Sequence, residues 1–141
     1  IDSRSKLTED PHELLYQTKV IKLDNPSTSL KVLFAANRPS ATDIRVLYRL
    51  DRVDGNELDQ IFELFPGFDN LDASGNVISE KNNSGRPDRN ISPSLQDQFN
   101  EYEFSASNLP QFTGFQIKIV MSSTDQSQTP KLKDFRSIAT A

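Results

Sequence analysis

The sequence predicts an all-β protein: a jelly-roll-like antiparallel β-sandwich of six to eight strands with one long irregular loop. Apolar and polar residues alternate with a period of two in several segments, including the tail 130–139, and this pattern is typical of strands with one buried face. Signals for turns, rich in Pro, Gly, Asn and Asp, separate these segments. The chain has 141 residues, which suits one domain of this type.

The chain is predicted to begin with an arm or linker over residues 1–13, followed by the sandwich domain over 14–141. The first residues are polar and end in Asp10-Pro11. Because the chain starts with Ile1 instead of Met, we expect it to be a fragment of a longer polypeptide or a processed product.

The first half of the domain contains three predicted strands. Residues 14–23 form the first, with apolar residues on both faces, so that its direction of burial stays open. A turn is predicted at 24–27, where Pro26 disfavours a helical conformation of Asn25. The second and third strands, 30–36 and 44–50, are predicted to pair as a hairpin across a short connection that contains Pro39.

The middle of the chain is less regular. Residues 57–65 suit either a short helix or an edge strand, because the apolar spacing fits a helical face and Pro66-Gly67 ends both. Residues 66–98 have little periodicity, and a stretch of this length in a compact domain is typical of a functional or mobile loop. Strands return at 99–105, 115–122 and 131–140, and Tyr48 and Tyr102 are predicted to face the core.

Composition excludes several classes of function. The sequence has no Cys, which excludes disulfides and thiolate zinc sites, and its net charge of −4 comes without a block of Lys and Arg. We therefore expect no nucleic-acid partner, and the short apolar runs predict no membrane insertion. No phosphate-binding glycine loop is present. The only His, His12, is predicted to be an exposed residue of the arm.

Paired carboxylates are the remaining route to catalysis. Glu57, Asp59 and Glu63 cluster in the sequence, and Glu101 and Glu103 share one face of a strand. A glycoside hydrolase needs two carboxylates that face each other across a cleft, which a sequence does not show. The favoured interpretation is a solvated polar face, so no catalytic residue is assigned and no enzyme activity is predicted.

One segment resembles the start of a calcium-binding loop. Asn70, Asp72 and Ser74 place oxygen-bearing side chains at alternate positions before Gly75, and such spacing lets a backbone wrap a hard cation. The closing position should hold Glu and holds Lys81. An Asx-rich turn is therefore the favoured interpretation, calcium at these three residues is the alternative, and no other cofactor is expected.

Three blocks of sequence together resemble a known family. They are residues 16–20 with 23–32, residues 37–49, and residues 115–119 with the tail 130–139. In their order and wording they resemble a domain of virion structural proteins from T4-like tailed bacteriophages of marine bacteria. The resemblance implies a non-enzymatic building or adhesion domain of a tail, baseplate or fibre-like protein, with no catalytic residues to carry over.

The expected function follows from the resemblance and from the missing catalytic motifs. We expect a structural domain in the virion that acts through protein–protein contacts in tail or baseplate assembly. Its expected partners are other virion structural proteins or further copies of the chain as a homo-oligomer. The alternative is a module for host recognition that binds a host-surface receptor or glycan, with its specificity in loop 66–98.

Overall fold

The computed structural model describes residues 3–7, 13–39, 42–55, 58–67, 85–88, 93–95, 98–123 and 131–141. These residues form nine strands and no helix. The strands are β1 (Ser3–Leu7), β2 (Glu13–Thr18), β3 (Ile21–Ser27), β4 (Ser29–Asn37), β5 (Thr42–Arg52), β6 (Glu63–Leu64), β7 (Asn100–Ala106), β8 (Phe112–Ser123) and β9 (Lys131–Thr140).

The strands make two antiparallel sheets. The large sheet has the order β1-β2-β8-β5-β6, and β3 also pairs with β8. The small sheet has the order β7-β4-β9. This architecture confirms the predicted all-β sandwich. The count of nine exceeds the predicted six to eight because it includes the two-residue β6 and a strand in the N-terminal segment.

The core lies between the sheets and is built by the period-two alternation. In β5 every second residue from Thr42 to Leu50 is buried, and the residues between them are partly exposed. Aromatic rings fill the centre: Phe34 stacks on Phe104 at 5.3 Å, and Phe65 meets Tyr48 edge-on at 4.9 Å. Each buried Phe contributes about 1.5–3 kcal/mol, so this layer is a main source of stability.

The predicted hairpin of the second and third strands is wrong. β4 lies in the small sheet between β7 and β9, whereas β5 lies in the large sheet between β8 and β6. The connection after β4 therefore crosses from one sheet to the other. Alternation identifies the apolar face of a strand, but strands of both sheets turn that face to the same core, so the pattern does not say which sheet a strand joins.

The first predicted strand is two strands. β2 and β3 lie end to end along β8, and Thr18 spans the break between them: its Oγ1 accepts a hydrogen bond from the N–H of Ile117 at 3.1 Å. The turn predicted at 24–27 is wrong, since these residues lie in β3. The register of β3 shifts between Lys22 and Ser27, and a shift of this kind accommodates Pro26, which has no N–H to donate.

Two further predictions, for residues 57–65 and for the N-terminal arm, concern segments at the edges of the large sheet. β6 pairs with β5 as an edge strand of two residues, so the edge-strand alternative for 57–65 is confirmed only for Glu63–Leu64, and the other described residues of this segment, 58–62 and 65, are in neither a helix nor a strand. The segment predicted as an N-terminal arm contains β1, which pairs with β2 from Ser3↔Thr18 to Leu7↔Leu14. The arm is therefore in part a strand of the sheet, because its backbone groups find partners along β2.

The described parts of loop 66–98 are bonded to both sheets. Gly85 donates its N–H to the carbonyl of Phe65 at 2.9 Å, beside β5, and Asp88 donates its N–H to the carbonyl of Glu103 at 2.8 Å, on β7. Residues 85–88 thus join the edge of the large sheet to the edge of the small one. Further along, the N–H of Ser94 bonds the carbonyl of Arg38 at 2.8 Å.

Candidate interaction surface

The carboxylates predicted on β7 lie on the outer face of the small sheet. Glu103 forms an ion pair with Lys31 at 3.8 Å, and Glu101 forms one with Arg136. Both acids have side chains about half exposed, at 44% and 51% respectively. A general acid of a glycoside hydrolase needs a pocket that raises its pKa, whereas each of these carboxylates lies beside a cation on an open sheet face.

The second predicted group of carboxylates, Glu57, Asp59 and Glu63, does not form one site in the described residues. Asp59 forms an ion pair with Arg52 at 3.2 Å, and Glu63 is exposed on β6, where its Oε2 accepts a hydrogen bond from the Tyr48 hydroxyl at 3.4 Å. Burial, reinforced by the Glu63 charge, raises the pKa of Tyr48 to about 12. Glu57 lies outside the described residues.

The calcium candidates Asn70, Asp72 and Ser74, and the single His12, also lie outside the described residues, so those interpretations stay predictions. Within the described ranges, no three His, Asp or Glu side chains come together in a way that could hold a metal ion. The same part of the chain contains no helix that is long and apolar enough to cross a membrane.

The outer face of the large sheet carries cations and apolar side chains together. Arg45, Leu47 and Arg49 point outward from β5 because the alternate residues enter the core. The pairing of β5 with β8 places Leu47 opposite Lys118 and Arg45 opposite Val120. On its other side Leu47 pairs with Leu64 of β6. This outer face is therefore amphipathic, whereas the solvated face of a sheet usually carries mainly polar groups.

An aromatic ring on this face contacts two cations, and we call Phe62, Arg49 and Lys118 the Phe62 cluster. The Cζ atom of Arg49 is 4.6 Å from the centre of the Phe62 ring, and the Nζ atom of Lys118 is 5.1 Å from it. Such contacts contribute about 0.5–1 kcal/mol each at exposed sites. On the same face Leu64, which pairs with Leu47, is 37% exposed, so the apolar surface extends beyond the ring.

A buried amide holds Arg49 in place. Gln116 is only 6% exposed, and its Oε1 accepts a hydrogen bond from Arg49 Nε at 2.8 Å. Its Nε2 donates to the carbonyl of Thr18 at 2.7 Å. Both ends of the amide are therefore bonded, and the guanidinium is fixed by the sheet beneath it.

The cations of the Phe62 cluster have no acidic partner in the described part of the chain. The ion pairs found there involve Lys31, Arg45, Arg52 and Arg136, and none involves Arg49 or Lys118. One lysine of the small sheet, Lys133, also lies over a ring but is the single cation there, with its Nζ 4.3 Å from the centre of Phe99. Two uncompensated cations at one ring make the Phe62 cluster the most distinctive electrostatic feature of the described surface.

A shallow groove of about 220 Å³ lies on the outer face of the small sheet. Ile138, 49% exposed, forms part of its apolar lining. The remaining lining residues are Ser29, Leu30, Lys31, Ser105, Ala106, Ser107 and Thr140. The groove therefore combines hydroxyl groups with an aliphatic side chain.

Sequence reasoning did not identify the Phe62 cluster. The apolar spacing of 57–65 places Phe62 on the apolar face of a helix, and the alternation in 115–122 makes Gln116 and Lys118 ordinary residues of the polar face of a strand. The one available signal was Arg45 and Arg49 opposite the apolar face of β5. Their proximity to Lys118 follows from the register of β5 against β8, which no residue pattern specifies.

Comparison with known proteins adds little to this picture. No protein-family model matches the chain, and no curated protein matches it. A solved structure, the enzymatically active domain of tailspike protein 4 from bacteriophage CBA120, aligns with 90% of this chain at 16% identity and a TM-score of 0.47. The chain spans 14% of the length of that protein, and the activity in its description belongs to that protein.

Proposed function

We propose that this chain is a non-enzymatic structural domain of a tailed-phage particle that acts through protein–protein contacts in the tail or baseplate. The three-block resemblance to virion structural domains supports the setting. The observation that carries the contact role is the amphipathic outer face of the large sheet, where Arg49, Phe62, Leu47 and Leu64 lie together. Arginine and aromatic residues are enriched in protein interfaces.

The arrangement of the acids supports a non-enzymatic role. Glu101 and Glu103 each lie beside a cation, while Glu63 bonds a tyrosine hydroxyl and Asp59 bonds an arginine. These contacts are what surface carboxylates make in a scaffold. A pair of catalytic acids would instead need two different environments that separate their pKa values.

Mass spectrometry of purified phage particles tests the setting. We expect peptides of this chain in particles of the phage that encodes it, and again in tail or baseplate subassemblies after the particles are dissociated. Absence of the chain from purified particles would overturn the proposal. Its presence only in non-virion fractions of the infected cell would do the same.

A second candidate function is binding of a host-surface glycan by a domain displayed on the particle. The groove on the small sheet favours it, because its mainly apolar lining, with Ile138, could cover the apolar face of a sugar ring while serine and threonine residues lie around it. A glycan array probed with the assembled protein tests this candidate, and Ile138→Asp should abolish any signal that depends on the groove. A blank array with correctly assembled protein would contradict it.

A further inference from the structure

The Phe62 cluster holds two like charges close together. Leu47 pairs with Lys118 and Arg49 pairs with Gln116, so Arg49 and Lys118 are diagonal neighbours on one face of the large sheet. Both contact the same ring. Two cations in this position repel each other, and no carboxylate among the described residues forms an ion pair with either of them. An anion placed between them would be attracted by both.

Arg49 also has guanidinium N–H groups that could donate further hydrogen bonds. Its Nε bonds Gln116 and its Nη1 bonds the carbonyl of Asp59 at 3.4 Å, which leaves further N–H groups of the guanidinium without a partner in the described structure. A guanidinium in a fixed orientation is well suited to a carboxylate, since its planar fork matches two oxygens at once. Lys118 supplies a second donor on the same side of the sheet.

We propose that the Phe62 cluster is a carboxylate-binding site for an acidic polypeptide segment of a partner protein, one in which apolar residues flank the Asp or Glu. This inference deepens the proposed function, on which it rests for the existence of a protein partner. The carboxylate bonds Arg49 and Lys118. The flanking apolar side chains cover Leu47 and Leu64, of which Leu64 is 37% exposed.

The surroundings favour a polypeptide over an acidic sugar. A sugar ring binds best on an open aromatic face, and the Phe62 ring is already contacted by Arg49 and Lys118. The neighbouring groups, Leu47 and Leu64, are aliphatic and lack the hydrogen-bonding partners that sugar hydroxyls need. Aliphatic side chains next to an acid fit this surface without leaving polar groups unpaired.

Three probes test the site by NMR titration of the isotope-labelled chain at low ionic strength. They are a synthetic peptide of Leu-Glu-Ser-Glu repeats, the same peptide with Gln in place of each Glu, and an oligogalacturonate of equal charge. We expect the Glu peptide to bind and to shift the resonances of Phe62, Arg49 and Lys118. We expect the Gln peptide not to bind, and oligogalacturonate to bind more weakly than the Glu peptide.

Matched variants separate a specific site from general attraction. Lys118→Gln should weaken binding of the Glu peptide about tenfold, which corresponds to about 1.4 kcal/mol. Lys133→Gln is the control, because Lys133 also contacts a Phe ring but on the other sheet, and it should leave the affinity unchanged. Phe62→Leu keeps both charges and should also weaken binding, since the ring no longer holds the cations together.

Four results would overturn the proposal: no binding of the Glu peptide, equal binding of the Gln peptide, an equal effect of Lys133→Gln, or tighter binding of oligogalacturonate. The last would assign the site to a glycan. Each of these results leaves the particle analysis untouched, so failure of the site and failure of the proposed function are distinguishable.

Discussion

Gly85 forms a main-chain contact with Val46, whose N–H donates a hydrogen bond of 2.8 Å to the Gly85 carbonyl oxygen. Val46 is a fully buried residue of β5, and its own carbonyl accepts a bond from the N–H of Phe65 at 3.1 Å. Residues far apart in the sequence are thus held in one ladder. The described residues 85–88 of loop 66–98 are therefore tied to β5, next to the edge of the large sheet.

Gly85→Ala should destabilise the protein. Gly85 has a φ of +74°, and a Cβ atom there would lie 2.5 Å from Cδ2 of Leu64. The left-handed backbone alone costs about 1–2 kcal/mol for a residue with a side chain. We expect a fall of at least that size in the free energy of unfolding in urea. Adding Leu64→Ala removes the close contact but not the backbone cost, so the double variant should recover no more than part of what Gly85→Ala loses.

Asp88 and Ser105 should be energetically coupled. The Ser105 hydroxyl donates to Asp88 Oδ2 at 2.6 Å, and the Ser105 N–H donates to Oδ1 at 3.2 Å. Asp88→Ala should cost about 1–3 kcal/mol because it leaves part-buried donors of an edge strand unpaired. In a double-mutant cycle, the variant with both Asp88→Ala and Ser105→Ala should lose less stability than the sum of the losses in the two single variants. Asp54→Ala, at a side chain that is 72% exposed, is the control and should change stability by less than about 0.5 kcal/mol. Additive losses would show that the two side chains do not interact.

Glu101→Gln and Glu103→Gln should change stability little. Their ion pairs with Arg136 and Lys31 are solvent-exposed, and such pairs contribute about 0–1 kcal/mol, less in high salt. Thermal unfolding at low and high salt checks this expectation. If a polysaccharide hydrolase activity is found for the chain, its kcat should be the same in both variants. A large fall in kcat in either one would assign catalysis to this face.

Stability should fall in strongly alkaline solution because of Tyr48. Its pKa is about 12 in the folded state, above the value of about 10 of an unfolded chain. Between these values the unfolded state has lost the proton and the folded state keeps it, so stability is complete below about pH 10 and falls from about pH 10 to about 12, by at most about 1.4 kcal/mol per pH unit.

The variant Tyr48→Phe isolates this effect. It removes the ionising hydroxyl and keeps the ring contact with Phe65, so its free energy of unfolding should depend less on pH between about 10 and 12. Urea unfolding at several pH values gives the comparison. Identical pH dependence of the two proteins would show that another group controls alkaline unfolding.

The strands were predictable to the extent that their side chains alternate. β5 follows the expected faces closely, because it buries every second residue in one core. β8 follows them at Phe115, Ile117, Ile119 and Met121, but Gln116 on its opposite face is buried as well. The N-terminal strands were not predictable in this way, because residues 14–23 carry apolar groups on both faces and β1 lies in a polar stretch. Pairing of main-chain groups decides such segments, and main-chain groups leave no trace in the pattern of side chains.

The candidate surface was predictable only in its parts. The sequence contains Arg49, Phe62 and Lys118, but they are far apart along the chain, and the residues around each one do not indicate a shared site. The shared face of Glu101 and Glu103 was easier to predict, because residues two positions apart on a strand point to the same side, whichever strand it pairs with. Their cations come from β9 and β4, which only the pairing of the small sheet brings near.

By itself the sequence determined the fold class, the inward faces of the main strands and the absence of thiol chemistry, because alternation and composition are local properties. Only the tertiary structure decided that β4 and β5 belong to different sheets, that loop 66–98 is bonded to both sheets, and that Arg49 and Lys118 meet at Phe62. The physical reason is register: antiparallel strands can pair in many alignments that bury the same face, and packing of the whole core selects one.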